Sequence, residues 1–289
     1  NNHKDLTGIR RHILSTFRTL PVSAEYMHGD IFDLSEQFGK DTVILIDKLG
    51  TKYLPKIFAV RGAVEARLKR ISFLPTNLVD HCLQFFSMLW PNILPARIKE
   101  WRKNFEHHLI LKMHGDGIEE ARSYLTEYFS NKSGDFFECT AREDKIASLH
   151  RFAAAGAAIR YQALYANEVE DILALDIALK RNDLEWLEKL PPEIEDKLLH
   201  KLYYGHFLCH VLHQDYIIKK GCNPDALKAE MLRILDKRGA EYPAEHNVGH
   251  LYEAKSELAA FYKSIDPTNS LNPGIGKMTK SKNYSGKFF

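Results

Sequence analysis

Ile9, Ile13, Leu14 and Phe17 fall on one side of a 3.6-residue repeat and Pro21 closes the run, which predicts a helix over residues 6–20. A short extended or turn-rich stretch follows around Val22–Met27, then a helix-like segment around Ile31–Phe38. Thr42–Ile46 is short, apolar and β-branched, the signal of a strand. Further on, His107–Met113 reads as a buried strand and Gly117–Phe129 as an amphipathic helix. Phe136–Thr140 reads as a strand, followed by an Ala-rich helix near residues 146–158. Asp171–Leu179 alternates apolar and polar residues and fits either strand or helix. Pro191 and Pro192 punctuate the chain, Tyr203–Ile218 is aromatic and strand-like, and Pro224–Arg238 is a clear helix. Short strands mixed with separate helices, without internal repeats, predict an α+β fold: an antiparallel sheet with flanking helices.

Charge changes this picture between Lys48 and Lys103. The basic residues there are Lys48, Lys52, Lys56, Arg61, Arg67, Lys69, Arg70, Arg97, Lys99, Arg102 and Lys103, against only Glu65, Asp80 and Glu100, a net charge of +8 in a chain whose total is +2. Interleaved with them are Tyr53, Phe58, Phe73, Phe85, Phe86, Trp90 and Trp101. Cations beside aromatics are what an interfacial contact with an anionic leaflet needs, each cation contributing about 1 kcal/mol. A solvated basic face over an ordinary helical core is the competing reading. Nucleic acid ranks third and is not expected as a partner, since no RNA- or DNA-binding module is recognisable. From the residues alone the interfacial and the solvated readings both stay open.

Composition adds bounds. Hydrophobic content of 45% and charged content of 27% are those of an ordinary globular protein. Cys82, Cys139, Cys209 and Cys222 lie far apart without a CxxC pair, which argues against a zinc ribbon or a disulfide scaffold and for a reducing compartment. No signal peptide opens the chain, and no apolar run reaches the ~18 residues that span a bilayer. The run Leu83–Leu94 is interrupted by Gln84, Pro91 and Asn92, so membrane contact is expected to be peripheral. Polar first residues without an initiator Met suggest a piece of a longer chain.

Reactive side chains concentrate in Tyr203–Asp215, Tyr242–His250 and Asp266–Lys277. Histidine suits proton abstraction from a hydroxyl near neutral pH and is also a common metal ligand. Taken alone, His206, His210 and His213 equally fit buried, hydrogen-bonded strand histidines, so a non-catalytic membrane-interaction module stays open as the alternative.

These stretches also carry a resemblance. Ala244-Glu245-His246, followed by Asp266-Pro267 and Asn272-Pro273-Gly274, resembles the close of the vanillyl-alcohol-oxidase type of FAD enzymes. The blocks Leu149–Arg160, Lys201–His206 and Tyr242–His250 are similar to the quinone-dependent, membrane-associated D-lactate dehydrogenases of bacteria, and the likeness runs from Ile9–Leu14 to Gly276-Lys277. The resemblance implies the C-terminal part of such an enzyme, with the FAD-binding domain preceding it. Consistently, no Gly-rich phosphate motif is present. By that likeness residues 1–27 and 105–236 form the substrate cap and 28–104 an inserted basic, largely helical membrane-binding region, which favours the interfacial reading of the charge run. A further membrane stretch is expected near 143–166, and 237–289 rejoins the flavin domain. The implied reaction is oxidation of D-lactate to pyruvate with electrons passed to quinone, on the cytoplasmic face of the inner membrane. By itself the chain is expected to hold no FAD and to be inactive.

The resemblance implies His246 as the base with Glu245 beside it, and His206 as a further catalytic candidate. Asn272, Pro273 and Gly274 are expected near the cofactor. An arginine should clamp the substrate carboxylate bidentately, with Arg151, Arg160 and Arg181 as the candidates. Related 2-hydroxy-acid dehydrogenases hold a divalent metal on two histidines seven apart and a glutamate; here these are His206, His213 and Glu245. Residues seven apart face opposite ways on a straight strand, and on a helix they sit ~10 Å apart along the axis. Joint ligation needs a bend, and Phe207–Leu212 lacks the glycines that make one easy, so metal binding is left open.

Overall fold

The computed structural model describes residues 3, 5–68, 70, 71, 73–75, 77–243 and 253–285. Its strands are β1 (Ser23–His28), β2 (His107–Lys112), β3 (Val169–Ala178), β4 (Leu198–His206) and β5 (Val211–Lys219), paired in the order β2-β1-β4-β5-β3. All pairings are antiparallel. Apolar side chains are buried on both faces, so the sheet is the middle layer of an α+β sandwich.

One face packs against α1 (Asp5–Thr16), α7 (Gly117–Ser130) and α10 (Pro224–Arg238). Trp186, Phe207 and Tyr216 are fully buried there, each contributing about 1.5–3 kcal/mol by leaving water. The indole Nε1 of Trp186 donates to Thr7 Oγ1 at 2.7 Å, satisfying its one polar atom. The opposite face carries α2 (Gly29–Phe38) and α8 (Ala141–Leu164). Helix α8 starts in a capping box, in which Thr140 and Glu143 satisfy each other's backbone N–H groups. Its small residues Ala153, Ala154, Ala157 and Ala158 are buried and let α2 and the sheet approach closely.

Thr42–Ile46 is not a strand. It lies inside α3 (Lys40–Leu49), where Val43, Ile44 and Ile46 are buried. Gly39 and Gly50 flank this helix, Asp41 stands in its first turn and Lys48 in its last, a charge order that suits the helix dipole. Packing against α8 outweighs the β-branched preference of the run. Phe136–Thr140 is irregular chain rather than strand. It pairs with no neighbour in the sheet; Phe137 packs on Trp101 at 4.8 Å between ring centroids. Asp171–Leu179, ambiguous in sequence, lies almost wholly in β3.

The basic segment is helical: α4 (Leu54–Leu68), α5 (Leu78–Leu89) and α6 (Ala96–Asn104) follow α3. After α10, residues 253–285 form a hook containing α11 (Ser256–Ile265) and a turn organised by Asp266, which accepts from Leu271 N at 2.8 Å and Thr268 Oγ1 at 3.0 Å. Phe261, Ile265 and Leu271 are exposed along it.

Candidate active site

The hairpin between β4 and β5 builds the site. The turn 207–210 contains no glycine, yet the chain reverses there, because His210 takes the left-handed conformation with φ 59°. Packing stabilises it: Phe207 and His210 are buried against the Trp186 ring, at 5.4 and 4.3 Å between centroids. The expectation that this stretch resists bending is thus corrected, since tertiary packing substitutes for glycine. Gly205 supplies the close approach instead, because a Cβ there would lie 2.2 Å from the Val211 carbonyl oxygen.

Directly paired residues of an antiparallel ladder share a face. The register pairs Glu25 with His206, Tyr204 with His213, and Asp176 with His213. Five polar side chains thereby gather beneath α8 although their sequence positions are far apart. His206 Nδ1 is hydrogen-bonded to Glu25 Oε1 at 3.0 Å, whereas His213 Nδ1 lies 3.1 Å from Asp176 Oδ1 as an ion-pair contact without hydrogen-bond geometry. The two imidazoles stand 5.3 Å apart, nearly perpendicular. A histidine whose Nδ1–H is fixed on a carboxylate presents Nε2 in a set direction, the arrangement used by general bases and by metal-ligating histidines alike.

From α8, Arg151 reaches the same face. Its Nε donates to Glu25 Oε2 at 3.2 Å, and its guanidinium carbon lies 4.7 Å from the Tyr204 ring centroid. Among the described residues its two Nη atoms have no protein partner, and the side chain keeps 18% of its exposure. A guanidinium held at Nε and on one face, with its Nη edge open, is prepared for a carboxylate. Tyr204 donates its hydroxyl to Asp215 Oδ2 at 2.9 Å. Burial raises the Asp215 carboxyl above the usual range, and the Tyr204 hydrogen bond acts against that rise.

The other candidates are placed elsewhere. Arg160 is buried and pairs with Asp41 at 2.6 Å, tying α8 to α3. Arg181 is exposed, and its carbonyl accepts from Arg10. Asn272 and Pro273 lie on the exposed turn of the hook, with Gly274 at φ 88°. Glu245, His246 and Lys69 lie outside the described residues. Among the described residues no group of three His, Cys, Asp or Glu could hold a metal, so His206 and His213 supply two ligands at most without Glu245. Sequence reasoning missed Glu25, Asp176, Tyr204 and Asp215. Asp176 did carry a signal: it is a carboxylate inside the otherwise apolar run Ile172–Ala178, which must find a partner when buried.

In the basic region, Arg61 pairs with Glu65 and Asp80 at 2.7 Å each, Arg97 with Glu143 at 2.5 Å, Lys99 with Glu36 at 2.7 Å, and Arg102 with Asp33. Among the described residues, Lys48, Lys52, Lys56, Arg67, Arg70 and Lys103 are exposed and form no ion pair. Around them Phe58, Phe73, Phe85, Phe86, Leu89 and Trp90 are exposed, Phe73 to 83%, and it is their gathering in one region rather than any single exposure that marks an interaction surface. Trp101 is half-buried on Phe105 and Phe137. Phe152 and Ile159 of α8 are also exposed, within the expected further stretch 143–166. No helix among the described residues is long and apolar enough to cross a membrane.

Residues 1–284 match the family described as D-lactate dehydrogenase, membrane binding. The chain is 59% identical over 284 residues to the quinone-dependent D-lactate dehydrogenase of Escherichia coli strain K12, covering 98% of the chain and 50% of that protein. The Haemophilus influenzae protein of the same name is 55% identical over 283 residues, with 98% and 50% covered. That of Corynebacterium glutamicum is 39% identical over 287 residues, with 99% and 50% covered. The chain thus spans about half the length of these relatives.

Proposed function

From a chain that belongs to the D-lactate dehydrogenase membrane-binding family, we propose the substrate-cap and membrane-binding portion of an FAD-dependent enzyme that oxidises D-lactate to pyruvate and reduces quinone. The observation that carries this reading is Arg151, held with its Nη edge open on the sheet face where His206, oriented by Glu25, and His213, beside Asp176, stand. Arg151 pairs the lactate carboxylate in two parallel hydrogen bonds. His206 and His213 face the hydroxyl, and one of them, or His246, accepts its proton. Bound FAD supplies the hydride acceptor for the Cα hydrogen. The hook 253–285 packs its exposed Phe261, Ile265 and Leu271 on the rest of the polypeptide, carrying Asn272, Pro273 and Gly274 toward the cofactor. A divalent metal fits the pair in part: Nε2 ligation with Nδ1 on a carboxylate is a usual pattern, and Glu245 would complete the set. The basic helices hold the protein on the anionic, cytoplasmic face of the inner membrane without spanning it.

Arg151→Ala in the complete polypeptide tests the site. Loss of a charge-assisted pair should raise KM for D-lactate roughly 10- to 100-fold while flavin content stays unchanged. An unaltered KM would refute Arg151 as the clamp and favour a membrane module with structural histidines.

A further inference from the structure

Tyr204 stands between the two working parts of the site. Its ring lies under the Arg151 guanidinium at 4.7 Å and beside the His213 imidazole at 5.3 Å between centroids. Its hydroxyl reaches along the sheet to Asp215, at 2.9 Å, rather than toward solvent. Tyr204 and Asp215 are both buried, at 6% exposure each, so the pair is costly to bury and is not a surface accident. Asp215 is paired across the ladder with Leu202 and Ala174, whose side chains are apolar, so the phenol is the donor that accounts for a carboxylate at this place in the strand. With the hydroxyl fixed at one end, the ring is held in place, and its electron-rich face is offered to Arg151, which descends from α8.

We propose that Tyr204, anchored by Asp215, is a positioning residue that sets the Arg151 guanidinium for the substrate carboxylate. Glu25 fixes Arg151 from the other side: Nε donates to one carboxylate oxygen while His206 Nδ1 takes the other. The guanidinium is therefore held from two directions, by a charge at Nε and by a π-face, which settles where its Nη edge points. Tyr204 itself need not touch substrate. It acts through Arg151, and removing it should cost carboxylate recognition more than turnover. The inference rests on the proposed role of Arg151.

The test uses the complete flavoprotein with a soluble quinone as acceptor, and compares D-lactate with its methyl ester, which lacks the anionic carboxylate. Tyr204→Leu should raise KM for D-lactate by about 3- to 30-fold, the span of a cation–π contact from exposed to desolvated settings. Its kcat should change by less than about 3-fold, and kcat/KM for the ester should be held to within about 2-fold. Tyr204→Phe keeps the ring but releases it from Asp215, so it should recover only part of the D-lactate KM; full recovery would show that the Asp215 anchor is not needed. Phenylalanine and its difluoro and pentafluoro analogues at position 204 keep the shape while withdrawing ring charge, so KM for D-lactate should climb with fluorination; this series keeps the test usable where Tyr204→Leu does not fold. Equal losses on acid and ester, or a KM indifferent to fluorination, would overturn the positioning role. If Arg151→Ala raises KM and the Tyr204 variants do not, only this inference fails; if Arg151→Ala leaves KM unchanged, the reading of the site falls with it.

Discussion

Neutralising Lys52, Lys56, Arg67 and Arg70 together, each to Gln, should release the protein from anionic vesicles. The structure selects these four: all are exposed, on or beside α4, and none forms an ion pair among the described residues. Arg61 is left in place because it holds Asp80, whose side chain is buried, and its loss would confuse unfolding with release. At about 1 kcal/mol per cation near an anionic surface, four lost charges amount to about 4 kcal/mol, or ~10³-fold in affinity. Sedimentation with phosphatidylserine-containing vesicles at low ionic strength measures this directly. Salt at 1 M should mimic the variant, since the screening length there is ~3 Å. A salt-resistant fraction should persist and should fall when Phe85, Phe86, Leu89 and Trp90 are replaced by Ser, because those exposed groups bind by apolar insertion. A quadruple variant that sediments as fully as wild type at low salt would show that the segment is a solvated basic face.

Gly205→Ala should destabilise the hairpin by at least about 1–3 kcal/mol, because the new methyl would meet the Val211 carbonyl oxygen at 2.2 Å; urea midpoints of the two proteins measure it, and equal midpoints would refute the close approach. His150 is fully buried, its Nδ1 lies 2.9 Å from Ser35 Oγ, and burial pushes its pKa down to about 4. The unfolded chain then binds the proton first, so the contribution of His150 to stability is complete above about pH 6.5 and is lost as pH falls toward 4, to at most about 3 kcal/mol. His150→Gln should flatten urea stability across that window, and an unchanged slope would refute the linkage. His206→Ala and His213→Ala should each lower kcat by ~10²-fold or more if the histidine concerned is the base, with flavin content unchanged; near-normal turnover in both would assign the proton to His246.

Much of the architecture was legible along the chain. The helices α1, α7 and α10 follow periodic segments and α8 an Ala-rich one, and Pro224 opens α10 by its own covalent geometry, whereas α1 ends at Thr16, short of the boundary read at Pro21. The basic, aromatic character of Lys48–Lys103 is compositional and so visible without a fold. Tertiary structure decided what depends on distant partners. Thr42–Ile46 has strand chemistry but meets the α8 surface, and burial there is worth more than a local backbone preference. It also decided which cations face outward, by seating Arg61, Arg97, Lys99 and Arg102 on carboxylates. The site is the clearest case. Glu25 and His206 are 181 residues apart, and only the β1–β4 register lays them side by side. That register follows from which face of each strand is buried, and the β4–β5 register also from a turn shaped by Trp186 packing, since a slip of one residue would turn every site side chain to the opposite face.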